Sequence, residues 1–246
     1  MRSATPRGPE ASIIVFARSP ESGRVKTRLA PLLGEKGAAS LHAQLVERTL
    51  RTALAAGLGG VDLYCSPGIK DPFFAKMKKR FGTRLREQGR GNLGDRMYRA
   101  LRRNPYAILI GSDCPAFKPA DLRAAARALQ GGADAVLSPA EDGGYALIGV
   151  RQVSRELFTG IEWGSARVLA QTRRRLRRMR WQWKELRTVW DVDRPEDVAR
   201  LRRSKLLGKP ALRSPRTSLA GRRRVRPSAG SLSRSGAPGR PSGCCP

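Results

Sequence analysis

Residues 106–111 read YAILIG, a nearly uninterrupted apolar run of the kind that marks a central strand buried on both faces. A strand like that needs helices above and below its sheet. The chain supplies them in alternation: IIVFA at 13–17 and VDLYCS at 61–66 are β-prone, PFFAKMKKRF at 72–81 is helical, and RLREQ at 84–88 is a short strand. LGDRMYRALRR then places Leu93, Met97 and Leu101 at i, i+4 and i+8 of a helix. Beyond the central run come helix PADLRAAARALQ, strands ADAVLSP and GYALIGV, helix SARVLAQTRRRLRRMR, strand candidate WQWKEL and a final helix RPEDVARLRR. Strands alternating with helices predict one α/β domain with a mostly parallel central sheet flanked by helices. Ligands of such folds sit at the carboxyl ends of the strands, so the chemistry is expected in the loops after IIVFA, AILIG and AVLSP.

The periodicity over Glu35 to Gly57 predicts a helix whose apolar arc includes Leu41, Leu45, Val46 and Leu50, with Gly57 as its stop. His42 projects into that arc, which favours a packed, hydrogen-bonded core histidine over a catalytic one. In the 165–180 helix Leu169, Thr172, Leu176 and Met179 share one face. The arginine run between them then reads as the wet side of an amphipathic helix, nucleic-acid binding being the alternative.

Charge needs care. The 246 residues hold 49 Lys plus Arg against 20 Asp plus Glu, a formal +29, which invites a nucleic-acid reading. Every acidic residue precedes Ser204, and the last 43 residues carry ten cations and no acid. The preceding body is still basic, which suits an anionic substrate and equally suits an arginine-rich codon usage. Residues 204–246, rich in Ser, Gly, Pro and Arg, are expected to be a disordered tail because they cannot bury enough surface to order themselves. Translation of GC-rich sequence past a natural stop is the expected origin, with non-specific contact to phosphate as the alternative. Residues 1–11 are expected to be flexible, leaving 12–203 as the domain.

Four cysteines (Cys65, Cys114, Cys244, Cys245) without a C-x-x-C pair, together with a single histidine, argue against a zinc site or disulfide framework. A reducing cytoplasm is the expected compartment. The amino terminus has too short an apolar run for a signal peptide, and no segment approaches a membrane span. Oligomeric state leaves no mark in the sequence.

The loop after the first strand, SPESGRVKTRLAP, pairs Gly23 with Arg24, Lys26 and Arg28. A nucleotide P-loop requires glycine directly before the lysine, whereas here Arg24 and Val25 intervene. What survives is a turn with cations beyond it, able to hold a diphosphate or simply to be solvated. Three acidic clusters fall at strand ends: Asp113 in LIGSDCPAF, Asp142 before the Gly143-Gly144 pair in PAEDGGYALIG, and Asp191 with Asp193 in WDVDRPED. Each alone could cap a turn or open a helix. Together, beside a basic loop, they have the composition of a Mg²⁺ or Mn²⁺ site completed by substrate phosphates.

The ordered series FARSPESGRVKTRLAPLLG, QGRGNLGDRM, LIGSDCPAFKPADL, SPAEDGGYALIGV, LFTGIEWGSARVLAQT and DVDRPEDV, spanning Ser12 to Leu201, resembles the bacterial GT-A-type glycosyltransferases labelled as arsenosugar-biosynthesis-type. That family is similar to cofactor guanylyltransferases and sugar-phosphate nucleotidyltransferases. The resemblance implies a single Rossmann-like nucleotide-diphospho-sugar transferase domain with Mg²⁺ or Mn²⁺. Carried over by position, Arg24, Lys26 and Arg28 would hold the nucleotide phosphates, and Gln88, Leu93 and Gly94 would line the nucleoside pocket. Asp113 would be the central metal ligand and Asp193 would complete the site, with Asp191 its nearest competitor. Asp142, Gly143, Gly144 and Tyr145 would face the acceptor or sugar, with Trp163 packed on it. The Asp-x-Asp of glycosyltransferases is Ser112-Asp113-Cys114 here, which favours a geometry nearer the nucleotidyltransferases; Ser165 and Ala166 stand where a Thr and a polar residue are expected.

The leading expectation is therefore a transferase moving a sugar from a nucleotide-sugar to a small-molecule acceptor. The first alternative, on the same fold, is a nucleotidyltransferase releasing pyrophosphate from an NTP. The second, from another class, is a non-catalytic basic protein binding nucleic acid, for which the tail offers only non-specific contacts.

Overall fold

The computed structural model describes residues 11–207; the expected flexible amino terminus and basic tail lie largely outside them. Seven strands form one sheet in the order β3-β2-β1-β4-β6-β5-β7. They are β1 (Ser12–Arg18), β2 (Val61–Ser66), β3 (Arg84–Glu87), β4 (Ala107–Gly111), β5 (Ala135–Pro139), β6 (Tyr145–Val150) and β7 (Trp183–Glu185). β6 runs antiparallel to both β4 and β5, and every other pairing is parallel. The expectation of a mostly parallel sheet therefore stands, and the antiparallel strand has a local cause. Only Ala140–Gly144 separate β5 from β6, a loop long enough for a hairpin and far too short for the crossover that parallel neighbours need.

Among the described residues, six α-helices complete the fold: α1 (Ala30–Ala55), α2 (Pro72–Phe81), α3 (Leu93–Arg103), α4 (Pro119–Gln130), α5 (Val168–Arg178) and α6 (Pro195–Ser204). Short 3₁₀ turns at Thr27–Leu29 and Arg155–Phe158 lead into α1 and follow β6. The sequence-expected helix at 35–57 begins earlier, at Ala30, because Gly34 at φ 69° lets a preceding turn join it across a kink. Gly57 follows the helix end at φ 62°.

Alternation along β1 explains the layering. Ile13, Val15 and Ala17 pack with Val46 and Leu50 of α1, Phe74 of α2 and Leu122 of α4 on one face. Ile14 and Phe16 pack with Met97 and Leu101 of α3 and Leu176 of α5 on the other. A strand fully covered above and below must be apolar at consecutive positions, which is why 107–110 shows no polar residue. A third cluster joins α1 to α6 through Leu41, Leu45, Val198 and Leu201 around Trp190 and Val192.

The arginine run of α5 faces water, as its periodicity predicts, while Val168, Leu169, Thr172 and Leu176 are buried. Arg173 pairs with Glu185, Arg178 with Glu156, and Arg177 lies over the Trp183 ring. Cys65 and Cys114 are buried free thiols, each pushed up to about 12 chiefly by burial, so neither is a nucleophile at neutral pH. No helix among the described residues is long and apolar enough to cross a membrane.

Ile110, fully buried in β4 against the α1 and α4 layer, tests the central-strand assignment. Ile110→Ala is expected to lower unfolding free energy by about 2–5 kcal/mol, measured as a reduced urea midpoint with an unchanged m-value.

Candidate functional site

The chain leaves β1 to build β2 and β3 on one side and returns with β4 on the other. The loops after β1 and β4 therefore diverge, and a crevice opens at their carboxyl ends. The loop after β1 is tied down at its start, where the Ser19 amide donates to the Ser66 carbonyl (2.8 Å) and the Ser19 hydroxyl to Asp71. Gly23 turns the chain at φ 75°, and Lys26 is itself left-handed at φ 49°. A non-glycine residue pays for that conformation. Here the conformation goes with a side chain that is 6% exposed, its Nζ 2.6 Å from Asp113 Oδ1 and 4.0 Å from Asp193 Oδ1.

Asp113 sits two residues past β4, and its backbone carbonyl accepts from the amide of Val192 (3.0 Å). That bond brings the WDVD segment alongside. The segment is aligned further by the bridge between Ala140 and Val189 and by the Val189 amide bonding to Pro139. Asp197 caps α6 by accepting from the amides of Asp193 and Arg194. The capping role that the sequence allowed for the DVDRPED string thus falls to Asp197, and the Asp193 carboxylate meets Arg28 Nη1 at 2.5 Å.

Electrostatics follow from this packing. Burial would raise Asp113, but Lys26 and His42 outweigh it and hold the carboxyl well below its usual range. Asp191 is shifted the other way, raised by burial and by the nearby Asp142 and Asp113, with Lys26 opposing. His42 is the buried, hydrogen-bonded residue that its apolar arc predicts, its Nε2 bonding the Arg18 carbonyl at 3.0 Å. Its Nδ1 lies 3.7 Å from Asp113 Oδ1, a neighbour that helical periodicity could not reveal because it comes from β4.

Two chambers meet at Phe16, Leu93, Gly111 and Asp113. The larger, about 580 Å³, is lined by Arg18, Arg24, Lys26, Arg28 and Arg96. Of the basic loop, Lys26 and Arg28 converge on the carboxylates, while Arg24 stays at the exposed rim, paired with Glu21. Gln88 lines this chamber, but its amide group is spent: it donates to the carbonyls of Ala17 (3.1 Å) and Tyr64 (2.9 Å) and accepts from Arg96 (3.1 Å). It ties the ends of β1 and β2 together and orients an arginine. Arg18 and Arg96 were not singled out from sequence; Arg18 closes β1 and Arg96 stands in the first turn of α3.

The smaller chamber, about 300 Å³, holds Leu93, Asp142, Gly144, Tyr145, Trp163 and Asp191 in its lining. Trp163 stacks on Phe158 and meets Tyr145 edge-on, both at 6.5 Å between centroids. Gly94 lies under that indole: a Cβ there would come within 2.8 Å of Trp163. Gly143, at φ 87°, packs on the chain itself, since a Cβ would fall 2.2 Å from the Ala166 carbonyl oxygen. Its glycine character thus serves the 160s loop. Asp142 accepts from the Gly144 amide at 2.9 Å, an Asx turn that leaves its carboxylate at the chamber wall.

Among the described residues, no three His, Cys, Asp or Glu side chains form a preassembled metal cluster. A Mg²⁺ or Mn²⁺ site needs only one or two carboxylates when substrate phosphates and water complete the shell. Asp113 and Asp193 are two carboxylates held near one ammonium.

This sheet order and crevice define the nucleotide-diphospho-sugar transferase fold. The model of the DUF2064 family, described as an uncharacterized protein conserved in bacteria, matches residues 49–165. A crystal structure from Desulfovibrio desulfuricans G20, provisionally described as a nucleotide-diphospho-sugar transferase, is 32% identical, with a TM-score of 0.72 over 80% of this chain and 89% of that one. A nucleotidyl transferase from Methanothermobacter thermautotrophicus is 17% identical (TM-score 0.53; 80% and 98% covered). Glucosyl-3-phosphoglycerate synthase from Mycobacterium tuberculosis, in complex with Mn²⁺, uridine diphosphate and phosphoglyceric acid, is 13% identical (TM-score 0.50; 82% and 81% covered). At those identities the last two show the fold alone. No curated protein gives a significant match.

Two outcomes check this geometry. Lys26→Met should cost about 1–2 kcal/mol at pH 7, less than a fully buried pair because Asp113 is 46% exposed and water screens it. Asp113 is depressed in the folded state, so the contribution of the pair is complete above the ordinary carboxylate range and is lost as pH falls below it. Urea melts of both proteins at pH 7 and pH 3 should show the gap narrowing in acid. Gly143→Ala should cost about 1–3 kcal/mol from the left-handed backbone alone, seen as a lower Tm of the protein without nucleotide.

Proposed function

We propose that residues 12–203 form a metal-dependent transferase that takes a nucleotide-diphospho-sugar and moves the sugar to a small acceptor. The observation that carries this reading is the charge arrangement of the crevice: five cations on one chamber, and Asp113 where it meets the other. A diphosphate fits the first chamber, with Lys26, Arg28 and Arg96 on its oxygens and Arg18 and Arg24 at hand. Gln88 presents Arg96, and Leu93 offers an apolar edge to the nucleoside.

Asp113 and Asp193, with Asp191 beside them, would hold Mg²⁺ or Mn²⁺. The cation, when bound, neutralises charge developing on the diphosphate leaving group. Lys26 and Arg28 act on the same charge from the protein side, in positions set before substrate arrives. Asp142 lines the second chamber, and its oxygen not used by Gly144 is the candidate to take the proton from an acceptor hydroxyl. The 32% identical structure, provisionally described as a nucleotide-diphospho-sugar transferase, supports a nucleotide-sugar-related transferase, and the ordered motif series resembling the arsenosugar-biosynthesis-type glycosyltransferases favours sugar transfer.

A second reading, nucleotidyl transfer, draws on Ser112-Asp113-Cys114 in place of Asp-x-Asp. The two differ in what leaves. Incubation with a panel of nucleotide sugars and NTPs should release nucleoside diphosphate and no pyrophosphate; pyrophosphate would overturn the first reading.

Mn²⁺ with uridine or guanosine diphosphate is expected to raise the Tm, because a ligand that binds only the folded state stabilises it. Asp113→Ala should abolish the metal-dependent part of that shift. Asp142→Asn should cut kcat by about 10²–10⁴ and leave KM for the donor within a few-fold.

A further inference from the structure

The two chambers differ in charge as well as size. Arg18, Arg24, Lys26, Arg28 and Arg96 all line the larger one. The smaller has no Lys, Arg or His in its described lining; its ionisable side chains other than the Cys114 thiol and the Tyr145 phenol are the carboxylates Asp113, Asp142 and Asp191. The rest of its wall is dominated by apolar and aromatic side chains, among them Phe16, Met97, Leu109, Ile148, Trp163 and Val168. The Trp163 wall is braced, with Phe158 stacked against it and Gly94 packed beneath.

From this, resting on the transferase reading above, we infer that the second substrate is an unphosphorylated, uncharged hydroxyl compound with an apolar ring, and not a sugar phosphate or other phosphorylated acceptor. A phosphate brought into this chamber would face Asp142 and Asp191 with no cation on the wall to receive it. Like charges brought together in a desolvated site are strongly unfavourable. A metal at Asp113 and Asp193 would share its charge with the donor diphosphate, and Lys26, which reaches Asp113 from the larger chamber, is already paired with that carboxylate. An uncharged ring is not repelled by the carboxylates, gains burial against Trp163 and Leu109, and can turn its hydroxyl to Asp142.

The test compares 2-phenylethanol with phenyl phosphate and glucose 1-phosphate, each titrated by saturation-transfer NMR into the full-length protein holding Mg²⁺ and uridine diphosphate. The alcohol should bind at least about tenfold more tightly than either phosphate, the discrimination that opposed like charge supports. Trp163→Ala should weaken the alcohol by about fivefold or more, the loss of one aromatic wall, with diphosphate binding unchanged. If that variant loses diphosphate binding through misfolding, Ser165→Arg at the chamber rim replaces it and should narrow the preference by improving phenyl phosphate. Either phosphate binding as tightly as the alcohol, or both variants leaving the wild-type pattern intact, overturns the inference. Diphosphate binding is read on the same samples: its absence would sink the transferase reading, while the alcohol-to-phosphate ratio still reports on the chamber.

Discussion

One ion pair organises this molecule's crevice. Lys26 comes from the loop after β1 and Asp113 from the loop after β4, the two strands between which the sheet reverses its order. Joining those loops at 2.6 Å fixes the width of the gap, and the left-handed backbone of Lys26 is the local cost of aiming it there. Arg28 and Asp193 repeat the arrangement one turn further out, at 69% and 40% side-chain exposure. The inner pair sets geometry and the outer one faces the solvent from which a substrate arrives.

Around that junction the fold separates two environments. β1, the loop after it and α3 deliver cations to one side, with Gln88 bridging the strand ends and accepting from Arg96. The β5–β6 hairpin and the 160s loop deliver aromatic rings and carboxylates to the other. Close backbone packing at Gly94 and Gly143 is what allows the 160s loop to lie against the sheet. The proposed sugar transfer would use that division, with a polyanionic leaving group on the cationic side and an uncharged acceptor on the other. Asp113 lines both sides.

Much of this was legible in the residues. The unbroken apolar run of β4 and the alternation of strands with helices reflect burial on both sheet faces, a property each segment carries locally. Asp113, Asp191 and Asp193 stood out for the same reason: Pro115 and Pro195 mark where strand-like segments stop, and ligands collect at strand ends. The reversal of β6 was not read, although the brief gap before it, at Ala140–Gly144, contained the information. Gly143 was read as room for a ligand and instead makes room for Ala166, a contact from a loop 23 residues on. Gln88 lines the larger chamber, yet its amide is consumed by backbone carbonyls that only tertiary pairing brings within reach.

By itself the sequence determined the class of fold, the order of its elements and which acidic and basic side chains stand at the strand ends, because periodicity and turn chemistry act over a few neighbouring residues. Tertiary structure alone decided which of those charges meet. Lys26 lies 87 positions from Asp113 and 167 from Asp193, and no local rule couples them; the sheet does, by laying β4 beside β1 and returning the 189–193 segment along β5. The division into a cationic and an apolar chamber arose the same way, from the side of the crevice on which each loop landed.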